Sequence, residues 1–274
     1  MINPAKYLIS RLYRLRNAIR WNIQRRQFMA SSSKDNYKGK AKVTELDLSV
    51  LGNTLIIVPH ADDELIGCLG ILKKTDKNVW LYYIGHYPIV DEQLRHTRDN
   101  ELLSLSKLLG IKVISHNDDI SNLIGAIDRL KITSVFTPDF VDWHEDHQNA
   151  SLLLKQVIPD LDHIPDIYSY SVTVPFGSEG RLYALPYTRA ELSEKWELFY
   201  AIYRSQNFMP VSRFKNQERI NAIGLDNAYA AELFRKVSVR EFMAAADNRP
   251  QKDERTHIYS LINSITDIRS YVNK

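Results

Sequence analysis

At 274 residues, with 44% apolar and 25% charged residues, the chain is long enough for one large α/β domain with appendages or at most two small domains, and one catalytic domain is the simpler reading. No window approaches the ~20 uninterrupted apolar residues of a spanning helix. The single cysteine, Cys68, excludes an intrachain disulfide and a Cys-based metal site, and agrees with a reducing compartment. The net charge of +3 is uneven. Residues 1–43 carry 11 Lys or Arg against one acid, Asp35, and the remainder carries 25 against 32, a net −7. A basic arm on an acidic body points to phosphates or an anionic membrane surface, and away from a nucleic-acid-binding module.

The predicted elements begin with a helix. Leu8, Leu12, Leu15, Ile19 and Ile23 recur at helical spacing, flanked by Arg11, Arg14, Arg16, Arg20 and Arg25. Such a helix either lies in a bilayer interface or packs on its own domain or a second copy. An Arg-rich, acid-poor start with Ser31-Ser32-Ser33 also fits an organellar transit peptide. Ala30 to Lys42 reads as a linker, which divides the chain into an N-terminal arm and linker (1–43) and a catalytic domain (44–274).

From residue 54 short apolar runs alternate with helical patterns: 54–58 then 62–74, 79–85 then 92–109, 111–115 then 120–130, 134–138 then 146–157. This predicts parallel βαβ units, an α/β fold with a Rossmann-like, largely parallel sheet and flanking helices. In such a fold the site lies at the carboxyl ends of the strands. Beyond 165 come Ile167-Tyr168-Ser169-Tyr170-Ser171-Val172, a Pro/Gly-rich segment through Pro186 that is expected to wall a cleft, and a helix over about 189–204. The tail from 214 to 274 reads as helical and polar-faced.

Two polar clusters follow strand-like runs. Pro59-His60-Ala61-Asp62-Asp63-Glu64 comes straight after Leu55-Ile56-Ile57-Val58, and Asp142-Trp143-His144-Glu145-Asp146-His147 comes after Ser134-Val135-Phe136-Thr137. Each is expected at a strand end, where the two can converge on one metal ion. Alone, a His-x-x-Asp at a strand end is more often a helix cap than a metal site; the second cluster reverses that reading. His86, His96, His116, His163 and His257 lack such partners and are expected at the surface or satisfied in the core. Cys68 is expected in the core, on the apolar face of the first βαβ helix.

These motifs resemble those of the PIG-L/LmbE-like family of zinc-dependent N-deacetylases. Further matches run in the same order: Arg98-x-x-Glu101, Leu108-Leu109-Gly110, Lys195, Ser205-Gln206 and Ala231-Glu232-Leu233-Phe234. The resemblance covers about residues 50–240. It departs where Ala61 and Glu145 stand at positions that are often proline in the family. It implies His60, Asp63 and His147 as ligands of Zn2+, with an open position for water. A His/His/Asp set also accepts iron, cobalt or manganese. It further implies Asp62 as general base and His144, as imidazolium, as oxyanion stabiliser or proton donor, with Asp146 orienting a ring. Glu64 either supports the ligands or favours the helix N-terminus. Arg98 either meets a substrate phosphate or sugar, or pairs with Glu101. Trp143 either stacks on a sugar or supports its loop.

The expected function is hydrolysis of an N-acetyl group from an amino sugar in a glycan, glycolipid or glycoconjugate intermediate, with lipid-linked and nucleotide-linked carriers both open. The alternatives are amide hydrolysis in a thiol conjugate or glycopeptide, and a non-catalytic metal-stabilised binding protein. The expected location is cytoplasmic, with peripheral contact at the inner face of a membrane through residues 1–43 as one use of the basic arm.

Overall fold

The computed structural model describes residues 4–32, 42–76, 78–85, 91–115, 119–177, 181–206 and 209–273. Its centre is an eight-stranded sheet flanked by helices. The strands are β1 (Lys42–Glu45), β2 (Thr54–Val58), β3 (Val79–Tyr83), β4 (Lys112–Ser115), β5 (Ser134–Pro138), β6 (Asp166–Tyr170), β7 (Arg181–Tyr187) and β8 (Ala230–Val237), in the spatial order β1-β7-β8-β6-β5-β2-β3-β4. β8 runs antiparallel to both its neighbours, β6 and β7, and every other pairing is parallel. The helices are α1 (Pro4–Ser32), α2 (Asp63–Lys74), α3 (Glu92–Leu109), α4 (Ile120–Arg129), α5 (Glu145–Val157), α6 (Arg189–Ile202), α7 (Val211–Asn221), α8 (Val239–Asp247), α9 (Lys252–Leu261) and α10 (Ile265–Val272).

β2 shows why the sheet sits where it does. All five of its residues are buried, as expected of a parallel strand covered on both faces. Leu55 and Ile57 join one core with Tyr82, Ala126, Val135 and Leu154, while Ile56 and Val58 join the other with Leu65, Leu102, Phe136 and Trp196. The period of two thus divides one apolar run between two layers. Gly67 lets α2 lie against the sheet, because a Cβ there would run into the Tyr170 ring.

The four predicted βαβ units are present, with ends within a few residues of expectation. β7 lies in the segment read as a Pro/Gly-rich wall, and β8 lies in the tail read as helical. β8 evaded the pattern because Glu232 interrupts its apolar run. That carboxylate is buried and meets Lys195 Nζ at 2.6 Å. The same ammonium meets Glu218 at 2.5 Å and donates to the Ile66 carbonyl at 2.8 Å; Trp196 Nε1 and the Gly70 N–H complete the network on Glu218 and Glu232. A charge that reads as exposed in sequence is therefore neutralised across three elements.

α1 is a helix, but it docks by the face opposite to its apolar stripe. Trp21 is 2% exposed and packs with Phe28 against Ile220 of α7 and Ile265 of α10. Arg25 donates to Asn216, and Arg20 and Gln24 donate to the Asn263 carbonyl. Leu12, Leu15, Ile19 and Ile23 remain 50–58% exposed, since Ile19 lies about 200° of helix rotation from Trp21. Arg11, Arg16, Arg20 and Arg26 are also exposed. Residues Ala30 to Ser32 of the expected linker continue α1, and 33–41 lie outside the described residues. No helix among the described residues is long and apolar enough to cross a membrane.

The Lys195 triad makes one prediction. Lys195→Met strands two buried carboxylates and lowers unfolding free energy by about 3–5 kcal/mol. Replacing Lys195, Glu218 and Glu232 together with apolar residues restores part of that loss. Urea unfolding followed by tryptophan fluorescence reads both variants.

Candidate metal centre

β2 and β5 are neighbours in the sheet, paired Thr54↔Ser134 to Ile56↔Phe136. The chain leaves β2 towards β3 on one side, and β5 lies on the other, so the two meet at a topological switch point, the place where open α/β sheets bind ligands. His60 follows β2 by two residues, and Asp63 opens α2. His144 caps α5, its Nδ1 accepting from the Asp146 N–H at 3.3 Å, and His147 lies in the first turn of that helix.

The convergence is close. His60 and His144 have ring centroids 4.6 Å apart, His144 and His147 4.9 Å, and His60 and His147 5.3 Å. One ligand-capable nitrogen of each lies within 4.8 Å of the others. Asp63 Oδ2 bridges the expected ligands, 3.4 Å from His60 Nδ1 and 3.3 Å from His147 Nε2, and accepts the His60 backbone N–H at 3.0 Å. Asp146 Oδ2 is 2.8 Å from His60 Nε2 and 3.7 Å from His144 Nδ1. His60 is therefore the ring that Asp146 contacts more closely.

Asp62 is held at φ 131°, a conformation that costs a non-glycine residue roughly 1–3 kcal/mol. Its backbone is pinned: the N–H donates to Glu64 Oε2, and the carbonyl accepts from Leu65 and Ile66. Its Oδ2 is buried and meets no hydrogen-bonding protein group among the described residues.

Charge in this cluster is arranged around the imidazoles. Burial works against a charged His147, but Asp63 and Asp142 overcome it and hold the ring well above its usual pKa. Burial would also lower His60; Asp146 and Asp63 raise it. His144 is pushed down to about 4 by burial and by His147 and His60, so it is neutral at neutral pH. Burial favours protonation of Asp63, yet His147 and His60 hold its carboxyl below the usual range. Burial, then Asp63 and Glu64, pushes Asp62 well above it, with Arg98 acting in the opposite direction. Glu64 rises to about 7 through burial, opposed by the Tyr203 hydroxyl that donates to it.

The residues fit a divalent transition ion. The donors are imidazole nitrogen and carboxylate oxygen, a set that suits zinc. Carboxylates draw two of the rings towards the cationic state, which a bound cation would replace. The unpartnered Asp62 oxygen has the character of a group awaiting water or substrate.

Asp142, to which the sequence reading assigned no role, proves to be the support of His147. Its Oδ2 lies 3.2 Å from His147 Nδ1, and it also accepts from the His144 N–H and from the Thr173 N–H and hydroxyl. Burial opposes its ionisation, but His147 and then Thr173 hold its pKa at about 2. Its signal was positional: it heads the second cluster. Three of the secondary matches, Glu101, Ser205 and Gln206, are structural braces. Gln206 donates to the Ala61 carbonyl at 2.6 Å, and Ser205 donates twice to Glu101, so the Glu101 carboxylate is engaged there. Trp143 packs on Tyr259 at 4.5 Å. His163 bonds the Ile132 carbonyl, whereas His86, Tyr87 and His116 lie outside the described residues.

The chain matches no protein-family profile and no curated protein sequence. It is similar in fold to several solved structures. One is the N,N'-diacetylchitobiose deacetylase from Pyrococcus horikoshii complexed with its inhibitor MPG, at 18% identity over 76% of this chain and 90% of that one, TM-score 0.56. A second is a conserved protein from Thermus thermophilus, at 22% identity over 69% and 95%, TM-score 0.51. A third is the zinc-inhibited form of the teicoplanin deacetylase Orf2, at 14% identity over 68% and 99%, TM-score 0.52. At these identities the likeness is one of fold.

Titration calorimetry with Zn2+ tests the centre. Asp142→Asn is expected to weaken binding about 10–100-fold, and His60→Ala to weaken it further. Equal affinity in wild type and both variants would remove these residues from the site.

Proposed function

We propose that this chain is a zinc-dependent N-deacetylase that hydrolyses the N-acetyl group of an amino sugar in a glycan, glycolipid or glycoconjugate intermediate, releasing acetate and a free amine. The observation that carries this reading is the buried, unpartnered oxygen of Asp62 beside the His60, Asp63 and His147 cluster. A site that only held metal has no use for a strained residue that buries a carboxylate oxygen without a hydrogen-bond partner among the described residues. The names of two structural neighbours, deacetylases of diacetylchitobiose and teicoplanin, support the bond type.

The assignment gives His60, Asp63 and His147 to the ion, since Asp63 touches both rings. Bound there, zinc supplies Lewis acidity, lowering the pKa of water to about 7 and polarising the amide carbonyl. Asp62 takes the proton of the attacking water and returns it to the departing amine. Its raised pKa suits that exchange. His144 acts as a neutral donor in place of the imidazolium expected from resemblance: its Nδ1 accepts from the Asp146 N–H, leaving the Nε2–H for the oxyanion. Asp146 orients His60, and Arg98, whose charge reaches Asp62, meets a polar group of the substrate.

Acetate release from free and lipid-linked N-acetylglucosamine substrates tests this. Asp62→Asn is expected to lower kcat by about 10²–10⁴ while Zn2+ binding persists. A wild type that binds zinc yet releases acid only from thiol conjugates or glycopeptides moves the assignment to those amides. Release from no amide makes the chain a binding protein.

We also propose that the outward stripe of α1 rests on an anionic bilayer at the cytoplasmic face. Leu12, Ile19 and Ile23 supply the apolar contact, with Leu15 at the cavity rim beside them, and the exposed Arg11, Arg16 and Arg26 face lipid phosphates. A second copy is disfavoured as the occupant because it would bring like charges together. Ile19→Glu/Ile23→Glu is expected to reduce cosedimentation with phosphatidylglycerol vesicles at least ~10-fold. Unchanged partition, or a dimer that the same substitutions dissolve, overturns it.

A further inference from the structure

A cavity of about 450 Å³ lies between α1, α6 and α7, lined by Arg14, Arg189, Lys215 and Arg219 and, among the described residues, by no carboxylate. It is apart from the metal centre, none of whose residues line it. Arg14, Lys215 and Arg219 are half-buried, and Arg189 stands exposed. Two of the guanidiniums are set in place by aromatic rings: Arg14 lies 5.7 Å from the Tyr200 centroid and Arg219 4.8 Å from that of Tyr229. Arg14 also hydrogen-bonds the Tyr200 side chain, and a guanidinium carries five N–H donors, so both groups retain donors for a further partner.

What sets these four cations apart is that they line one cavity together, and none of them is held in an ion pair among the described residues. Elsewhere Lys73, Lys74, Lys155, Lys195, Lys236 and Arg255 each pair with a carboxylate within 3.0 Å. Two carboxylates act on Lys215: Glu218 is already taken by Lys195 and Trp196, whereas Glu197, which accepts from the Ser193 hydroxyl, keeps its charge and forms no ion pair among the described residues. Burial is the main cause that lowers the Lys215 pKa. Behind the wall, Arg25 bonds Asn216, and burial and then Arg219 lower its pKa. Four cations thus outnumber the carboxylates that reach them, and a concave site focuses the remaining positive field.

We propose that this cavity binds a phosphate-bearing anion, a phosphate monoester or diphosphate, at a site separate from the metal centre. The chemistry is that of several Arg and Lys donors closing on one tetrahedral anion. The anion neutralises cations that otherwise repel one another. The same chemistry serves a free phosphate compound or a phospholipid headgroup, and two probes separate them.

Calorimetry of the full chain with inorganic pyrophosphate and, separately, with dihexanoyl phosphatidate below its micelle concentration tests the site. At least one probe is expected to saturate at one per chain. Arg189→Gln/Lys215→Gln should raise its Kd about tenfold or more, whereas Lys215→Arg and the distant pair Arg129→Gln/Lys131→Gln should leave it near the wild-type value. Thermal unfolding and Zn2+ affinity of the variants should match wild type. Pyrophosphate binding assigns the site to free phosphates, and phosphatidate binding alone assigns it to a headgroup. No saturable binding of either probe, or binding indifferent to Arg189→Gln/Lys215→Gln, overturns the proposal.

Discussion

The parallel pairing of β2 with β5 is the constraint on which the rest of the molecule depends. Strands in a sheet lie ~4.8 Å apart, so the loops that leave Val58 and Pro138 at the same edge bring their first residues within side-chain reach. His60 and Asp63 come from one loop and helix start, His144 and His147 from the other. The pairing is held from both sides, because alternate residues of β2 and β5 enter separate apolar layers. A slip of one residue would send each set into the wrong layer, so the packing that stabilises the sheet also fixes the candidate metal centre.

A shell of buried polar contacts then stiffens the first loop. Tyr203 on Glu64, Gln206 on the Ala61 carbonyl and Lys195 on the Ile66 carbonyl all come from α6 or the turn after it. Three separate ties from one neighbouring segment hold a short stretch that includes a strained Asp62. Each tie satisfies a group whose burial would otherwise cost about 1–3 kcal/mol. The second loop is held chiefly by Asp142, which binds His147, the His144 backbone and Thr173 together. Precision at the centre is thus a property of its supports.

The distribution of charge follows a different logic at the N-terminal helix. Within the α/β body several cations meet carboxylates from other elements, as Lys73 meets Glu194, Lys155 meets Asp247 and Lys195 meets Glu218 and Glu232. At α1 the balance differs: the arm brings arginines and almost no acid, and the surfaces it meets add Arg189, Lys215 and Arg219. Leu12, Ile19 and Ile23 mark the outward side of α1, and Arg14, Asn17 and Ala18 border the basic cavity on its inward side.

Much of the centre was legible because its residues are local in sequence. His60-x-Asp62-Asp63 and His144-x-Asp146-His147 each sit within one turn of chain, and the alternation of apolar runs indicated that both follow parallel strands. The αβ order, and therefore the site at the strand ends, followed from periodicity alone. Tertiary structure decided what depends on partners distant in the chain. Glu232 reads as a charge that breaks a strand until Lys195 neutralises it, so β8 was invisible. Asp142 has no role until His147 folds back on it. The stripe of α1 announces a helix and an apolar face, but Trp21 and Phe28, two isolated aromatics, choose which side docks. Sequence pattern reports period and local chemistry; only packing determines which face is covered and which charge is paired.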